Sequence, residues 1–104
     1  MTNKTANIYR ENVDWQGKKT LTLIGSYDVW LEEAVVTRLA LRGSRKSEYG
    51  SEVIVGRGTI FLYDEVNDLE NCIFEIDGKQ HEAVNVDIFW DDDGSFHHAE
   101  ITYR

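Results

Sequence analysis

The chain has 104 residues, a formal net charge of −8 and 41% hydrophobic residues. This length predicts one domain spanning 1–104, and the apolar content suffices for one modest core, which excludes a disordered polymer. The acidic balance excludes a protein that binds nucleic acid unaided, because such binding needs clustered Lys and Arg. An acidic surface instead suits a basic protein partner, or the wall of a passage along which a polyanion slides.

Residue usage excludes further classes of site. The single cysteine, Cys72, excludes an intrachain disulfide framework and a cysteine-based zinc site. No apolar run approaches the ~20 residues of a membrane helix, so we expect no membrane contact. The N-terminal sequence MTNKTANIYR lacks the apolar core of a signal peptide, which predicts a cytoplasmic protein.

The first third of the chain predicts a polar start followed by strands. Residues 1–7 are polar and are expected to be disordered. Next come a short strand at Ile8–Val13, a turn at Asp14–Gly17 and a better strand at Thr20–Ser26. The segment Val29–Leu41 fits either a strand or a helix, and the β context favours a strand through about Thr37.

The middle of the chain contains one long polar segment, Arg42–Glu52, which is predicted to be a mobile loop. It holds the basic cluster of an otherwise acidic protein, which consists of Arg42, Arg45 and Lys46. Tyr49 follows this cluster in the same segment. The segment is either a solvated loop without a special role or a loop that orders against a partner or nucleic acid.

Strong β-forming sequence returns at Val53–Tyr63. Gly56 and Gly58 interrupt this run, which indicates a bulge or the tight bend of a closing barrel. The acidic segment Asp64–Asn71 that follows is rich in turn residues and could form a single helical turn.

The last third, Cys72–Arg104, predicts three strands joined by turns at Ile76–Lys79 and Asp91–Gly94. Between the turns, alternation places four apolar side chains on one face: Val84, Val86, Ile88 and Trp90. Altogether we expect a mainly β protein, a small antiparallel barrel or sandwich of five to seven short strands with one long polar loop.

Two constellations could suggest chemistry, and neither predicts an enzyme. The run Asp91–Asp93 with His97, His98 and Glu100 lacks the ligand pattern of a calcium loop, and alternation sends the two histidines to opposite faces. A solvated acidic turn is the better interpretation. A catalytic pair drawn from His81, Glu82, His98 and Glu100 lacks an activated serine or cysteine. We therefore expect no catalytic residues, no metal and no cofactor.

The aromatic residues outnumber what a small core needs. Phe89 and Trp90 are adjacent and must point to opposite faces, so one of them meets something other than its own core. This indicates a subunit interface, for which the candidates are Trp30, Phe89, Trp90 and Phe96.

Two short motifs stand in the second half of the chain. The first consists of Ile76, Gly78, Lys79, His81 and Val84, with Ala83 before the valine, and the second of His98 and Glu100 in the terminal hairpin. In these motifs the chain resembles the head-closure and head–tail connector (minor capsid) proteins of long-tailed bacteriophages, which have an I-x-G-K-x-[YH]-x-V strand followed by a terminal hairpin with H-x-E.

The resemblance implies a non-enzymatic structural protein of the virion, made in the host cytoplasm and built in at the head–tail interface. It implies a ring of small β-barrels that contacts a portal or adaptor ring and tail-completion proteins. The segment Arg42–Glu52 would then face the channel and make transient, non-specific contact with packaged DNA. The alternative is a small β-barrel that binds a protein or ligand outside any virion.

Overall fold

The structure is a computed structural model that describes residues 1–41 and 51–104, with side chains described for 1–37 and 55–104. This part of the chain contains a short 3₁₀ helix, Leu69–Asn71, and eight strands. The strands are β1 (Lys4–Val13), β2 (Lys19–Glu32), β3 (Val36–Leu41), β4 (Ser51–Gly56), β5 (Gly58–Leu62), β6 (Cys72–Ile76), β7 (Lys79–Trp90) and β8 (Phe96–Tyr103). No helix in the described residues is long and apolar enough to cross a membrane.

Six of these strands close into an antiparallel barrel in the order β1-β2-β5-β8-β7-β6, which confirms the predicted small β-barrel. The core fills its interior, and the largest fully buried side chains include Ile8, Ile60, Leu62, Phe74 and Ile101. The alternation of buried and more exposed residues is clearest in β5, as a closed sheet with one buried face requires. Strands β3 and β4 form a separate two-stranded sheet.

The barrel begins earlier than the sequence indicates. Residues Lys4–Asn7, expected to be disordered with the rest of 1–7, are part of β1 and pair with Val29–Ser26 of β2. Ala6 in this stretch is completely buried, so its contacts with the core hold down a sequence that looks polar. The predicted turn is confirmed, because Gly17 has a φ of 83° and its N–H donates to the Asp14 carbonyl.

The ambiguous segment Val29–Leu41 is extended rather than helical, but it is two strands instead of one. Strand β2 ends at Glu32 opposite Thr59 of β5, and pairing resumes at Val36 opposite Gly56 of β4. Three residues on one strand therefore face two on the other, and this extra residue bends the ribbon away from the barrel. The predicted single strand Val53–Tyr63 is divided at the same place, and for this reason the strands exceed the expected five to seven.

Two bulges correct the predicted alternation in the C-terminal strands. The register of β7 shifts between Ala83 and Asn85, so Ala83 and Val86 pack against the core, rather than Val84 and Val86 in simple alternation. A second shift pairs Phe89 with His98 and Trp90 with Phe96, leaving His97 as the extra residue. A bulge breaks the period of two, which sequence alternation assumes.

Candidate functional site

The β3–β4 hairpin projects from the junction of β2 and β5, and the chain between its strands holds the predicted loop. Within Arg42–Glu52, the last two residues belong to β4 and pair with Leu41 and Ala40. The predicted channel-facing residues Arg42, Arg45, Lys46 and Tyr49 lie outside the described residues. The basic cluster therefore sits, in sequence, between two paired strands of a hairpin outside the barrel.

Rings on β5, β7 and β8, with one directly after β5, form a second feature, which we call the aromatic face: Phe61, Tyr63, Phe89 and His98. The His98 ring is at its centre, stacked on Phe89 with centroids 4.7 Å apart and planes at 5°. Its centroid lies 6.3 Å from that of Phe61 and 6.0 Å from that of Tyr63. Tyr63 and Phe89 remain exposed by 43% and 41%. Flat, partly exposed rings of this kind suit contact with another macromolecule.

The predicted interface residues do not form one surface. Trp30 pairs across the strands with Phe61 and so borders the aromatic face. Phe89 belongs to that face, whereas Trp90 turns away from it and meets Phe96 edge-on at 6.1 Å. Phe96 itself is half-buried and packs against the core. The adjacent rings Phe89 and Trp90 thus have different partners, as neighbours on opposite faces of a strand should.

Trp90 and Phe96 line a groove of about 180 Å³ beside the 3₁₀ helix. Its walls are the apolar ends of β7 and β8 on one side and the acidic segment 65–70 on the other. Trp90 is 57% exposed there. The groove is apolar at its base with carboxylates at its rim, a combination that suits an apolar side chain flanked by basic residues.

The bulge at His97 brings together two histidines that simple alternation would separate. The Nδ1 atoms of His97 and His98 are 2.6 Å apart, and Nε2 of His98 is 2.9 Å from Oε2 of Glu100. In the neutral arrangement that satisfies both contacts, His98 donates from Nε2 to Glu100 and accepts at Nδ1 from His97. The three side chains form a hydrogen-bonded chain that fixes the ring of His98 at the centre of the aromatic face.

The four residues considered as a catalytic set are split between two places. His81 packs against Tyr103 with ring centroids 4.6 Å apart, and Glu82 accepts a hydrogen bond from Arg104 Nε at 3.0 Å. Strand pairing places His98 opposite Phe89, seven residues further along β7 than Glu82. His98 and Glu100 do pair, but His81 contacts β8 at Tyr103, five residues beyond His98.

The turn Asp91–Gly94 is an exposed, internally bonded acidic turn. Ser95 donates its backbone N–H to Asp93 Oδ1 at 2.9 Å and its hydroxyl to the same oxygen at 2.6 Å. These bonds favour the charged carboxylate and lower the pKa of Asp93, with the Ser95 hydroxyl as the largest cause. In the described residues, no group of three or more His, Cys, Asp and Glu side chains is arranged to hold a metal ion.

Replacing Ser95 by alanine should raise the pKa of Asp93 part of the way to its ordinary value. The substitution removes the hydroxyl donor, while the backbone N–H still donates to the carboxylate. The carboxyl carbon of Asp93, followed by NMR through an acid titration, measures the change. An unaltered titration of Asp93 would mean that the hydroxyl does not donate to it in solution.

Of the aromatic face, the sequence interpretation predicted only Phe89 as an interface residue and missed Phe61, Tyr63 and His98. Tyr63 lies two residues beyond Phe61, so the strand period of two could have placed both rings on one face. His98 could not be assigned in this way because the bulge that orients it has no clear sequence signal. Comparison of the chain with protein-family models, with curated proteins and with solved structures finds no match in any of the three.

Proposed function

We propose that this protein is a structural component of a phage or prophage virion that closes the DNA-filled head and connects it to the tail. It would act as a ring of subunits around the DNA channel, in contact with a portal or adaptor ring on one side and tail-completion proteins on the other. No chemical reaction is required of it.

The observation that supports this proposal best is the β3–β4 hairpin. A closed barrel supplies a rigid body, and from it projects a two-stranded ribbon whose connecting sequence holds Arg42, Arg45 and Lys46. The whole chain has a net charge of −8, so most of its surface repels phosphate. A few cations in the sequence that joins these two strands would slow DNA without binding it tightly, since the affinity for DNA grows with the number of phosphates neutralised.

The register of the hairpin defines a precise truncation. Leu41 pairs with Ser51, so an Asn-Gly turn can replace residues 42–50 and still join the two strands in register. Supplied in place of the natural protein during assembly, the truncated protein should fold but yield heads that lose DNA or fail to join tails. DNA content and infectious titre of purified particles measure the effect.

A variant of natural length separates the effect of the positive charges in this segment from the effect of the segment's length. Arg42→Ser, Arg45→Ser and Lys46→Ser together keep the segment and remove its cations. We expect particles that retain tails but lose DNA more readily than the natural ones. Full, infectious particles from the truncated protein would contradict the proposal, as would absence of the chain from purified virions.

The aromatic face supports the second candidate, a small β-barrel that binds a protein outside any virion. Tyr63 and Phe89 would be its contact residues in that case. The genes beside this one distinguish the two candidates cheaply, because portal, capsid and tail genes on both sides are expected only for a virion protein.

A further inference from the structure

More than half of β2 has an edge that is unpaired within the described residues. Strand β2 pairs with β1 from Lys19 to Val29, but with β5 only from Val29 to Glu32. On the β5 side, Lys19–Asp28 pairs with no strand of the described residues. An open edge of this length presents alternate backbone N–H and C=O groups to any extended segment that approaches, which makes it a template for a further strand.

The β3–β4 hairpin lacks a third strand that would stabilise it. Within the described residues it is a sheet of two strands, separate from the barrel, and such a sheet is at best marginally stable in water by itself. Strand β4 lies against β7, so the outer edge of β3, Val36–Leu41, is the one that faces away from the barrel. A third strand beside β3 would turn the hairpin into a three-stranded sheet.

Exposed apolar side chains lie beside both edges. Leu21 and Leu23 of β2 are exposed by 42% and 55%, and Val35, directly before β3, by 77%. Large apolar side chains on a strand next to an open edge favour pairing with another chain, whereas edges that avoid pairing are guarded by charge. Removal of these side chains from water would add to the hydrogen bonds of the new strand pair.

We propose that the outer edge of β3 in one copy of this chain pairs with the Lys19–Asp28 edge of β2 in the next copy. The hairpin leaves the barrel at the Glu32 end of β2, and the open edge lies toward its Lys19 end. The contact is therefore head-to-tail, and such contacts repeat from copy to copy until a ring closes or a filament grows. This deepens the proposed function, and only closure into a ring rests on it.

Two single substitutions test the contact by cross-linking. Thr20→Cys places a thiol on the open half of β2, and Thr37→Cys places one on β3; both threonines are exposed. The natural Cys72 is 2% exposed and should not react. An equimolar mixture of the two variants, treated with a short bis-maleimide, should give a mixed dimer at about ten times the yield of a control mixture, because pairing raises the effective concentration of the thiols.

The control mixture combines Thr37→Cys with Asp92→Cys, which lies in the exposed acidic turn. Adding Leu23→Lys to the Thr20→Cys variant should reduce the mixed dimer to the control yield, since a lysine guards the edge. Mixed-dimer yields equal to the control would overturn the proposal. Dimers formed by Thr20→Cys alone, in excess of the mixed species, would also overturn it because they indicate a symmetric edge-to-edge contact.

This experiment uses the purified chain and needs no virion. A mixed dimer together with full, infectious particles from the truncated protein would retain the head-to-tail contact and reject the proposed function. Absence of the mixed dimer together with leaking particles would reject the head-to-tail contact and retain the proposed function.

Discussion

Replacing Phe74 by alanine is expected to lower the free energy of unfolding by about 3–5 kcal/mol. The Phe74 ring is completely buried at the centre of β6, between Ile8 of β1 and His81 of β7. A barrel interior is closed on all sides, so neighbouring side chains can fill the vacated space only in part. Since domains of this size have stabilities of about 5–15 kcal/mol, the variant should be close to unfolding at growth temperature.

Urea unfolding of the natural protein and of the Phe74→Ala variant measures this loss. Phe89→Ala is the matched control, because Phe89 is 41% exposed on the outside of the barrel, and its removal should cost about 1 kcal/mol or less. A loss at Phe74 no larger than that at Phe89 would contradict a closed, tightly packed interior.

The second large effect is expected from Gly58→Ala, at the point where the ribbon enters the barrel. A Cβ at Gly58 would overlap the Glu32 carbonyl oxygen and lie 2.7 Å from the Tyr103 hydroxyl oxygen. The carbonyl belongs to the backbone of β2 and cannot rotate aside. We expect a loss of about 3 kcal/mol in the free energy of unfolding, the upper part of the range for overpacking.

Gly25→Ala provides the comparison for this effect. It makes the same chemical change within β2, but its closest neighbour is the hydroxyl end of Tyr27 at 2.9 Å, a side chain that can move. Thermal unfolding followed by circular dichroism should therefore show a much smaller decrease for Gly25→Ala than for Gly58→Ala. Equal decreases would mean that the close approach of β2 to Gly58 is absent in solution.

The thiol of Cys72 is buried, and we expect it to be unreactive. It lies at the start of β6, 2% exposed, and burial is the largest cause that raises the pKa of its thiol. A thiol in this state is a poor nucleophile, which agrees with its interpretation as a small apolar residue of the core. For this reason single introduced cysteines can be cross-linked without removing it.

Much of the fold follows from local sequence. The β-forming runs at Thr20–Ser26 and Val53–Tyr63, the Asp-Gly reversal at Asp77–Gly78 and the turn at Asp14–Gly17 are set by residues a few positions apart. These signals were sufficient to predict a small antiparallel β-barrel or sandwich. They also placed Phe89 and Trp90 on opposite faces, and they indicated a bulge or a tight bend of the chain at Gly56 and Gly58.

What the sequence could not determine depends on residues far apart in the chain. Pairing with Val29–Ser26 converts the polar Lys4–Asn7 into a strand, and nothing within 1–7 indicates it. The bulges at Val84 and His97 arise because strands of fixed pleat must close around a core, and they decide which side chains face inward. The bend that frees the β3–β4 hairpin is likewise a property of closure. The open edge of β2 begins at its other end, where β5 stops at Leu62 opposite Val29.

Composition and local pattern therefore determined that this chain is an acidic β protein with a basic segment between two strands. Only the tertiary structure decided that those strands leave the barrel as a hairpin, and that His98 joins Phe61, Tyr63 and Phe89 in one exposed face. The physical reason is that turns and alternation are fixed by neighbours in sequence. Ring closure, bulges and unpaired edges are fixed by contacts between residues far apart in sequence.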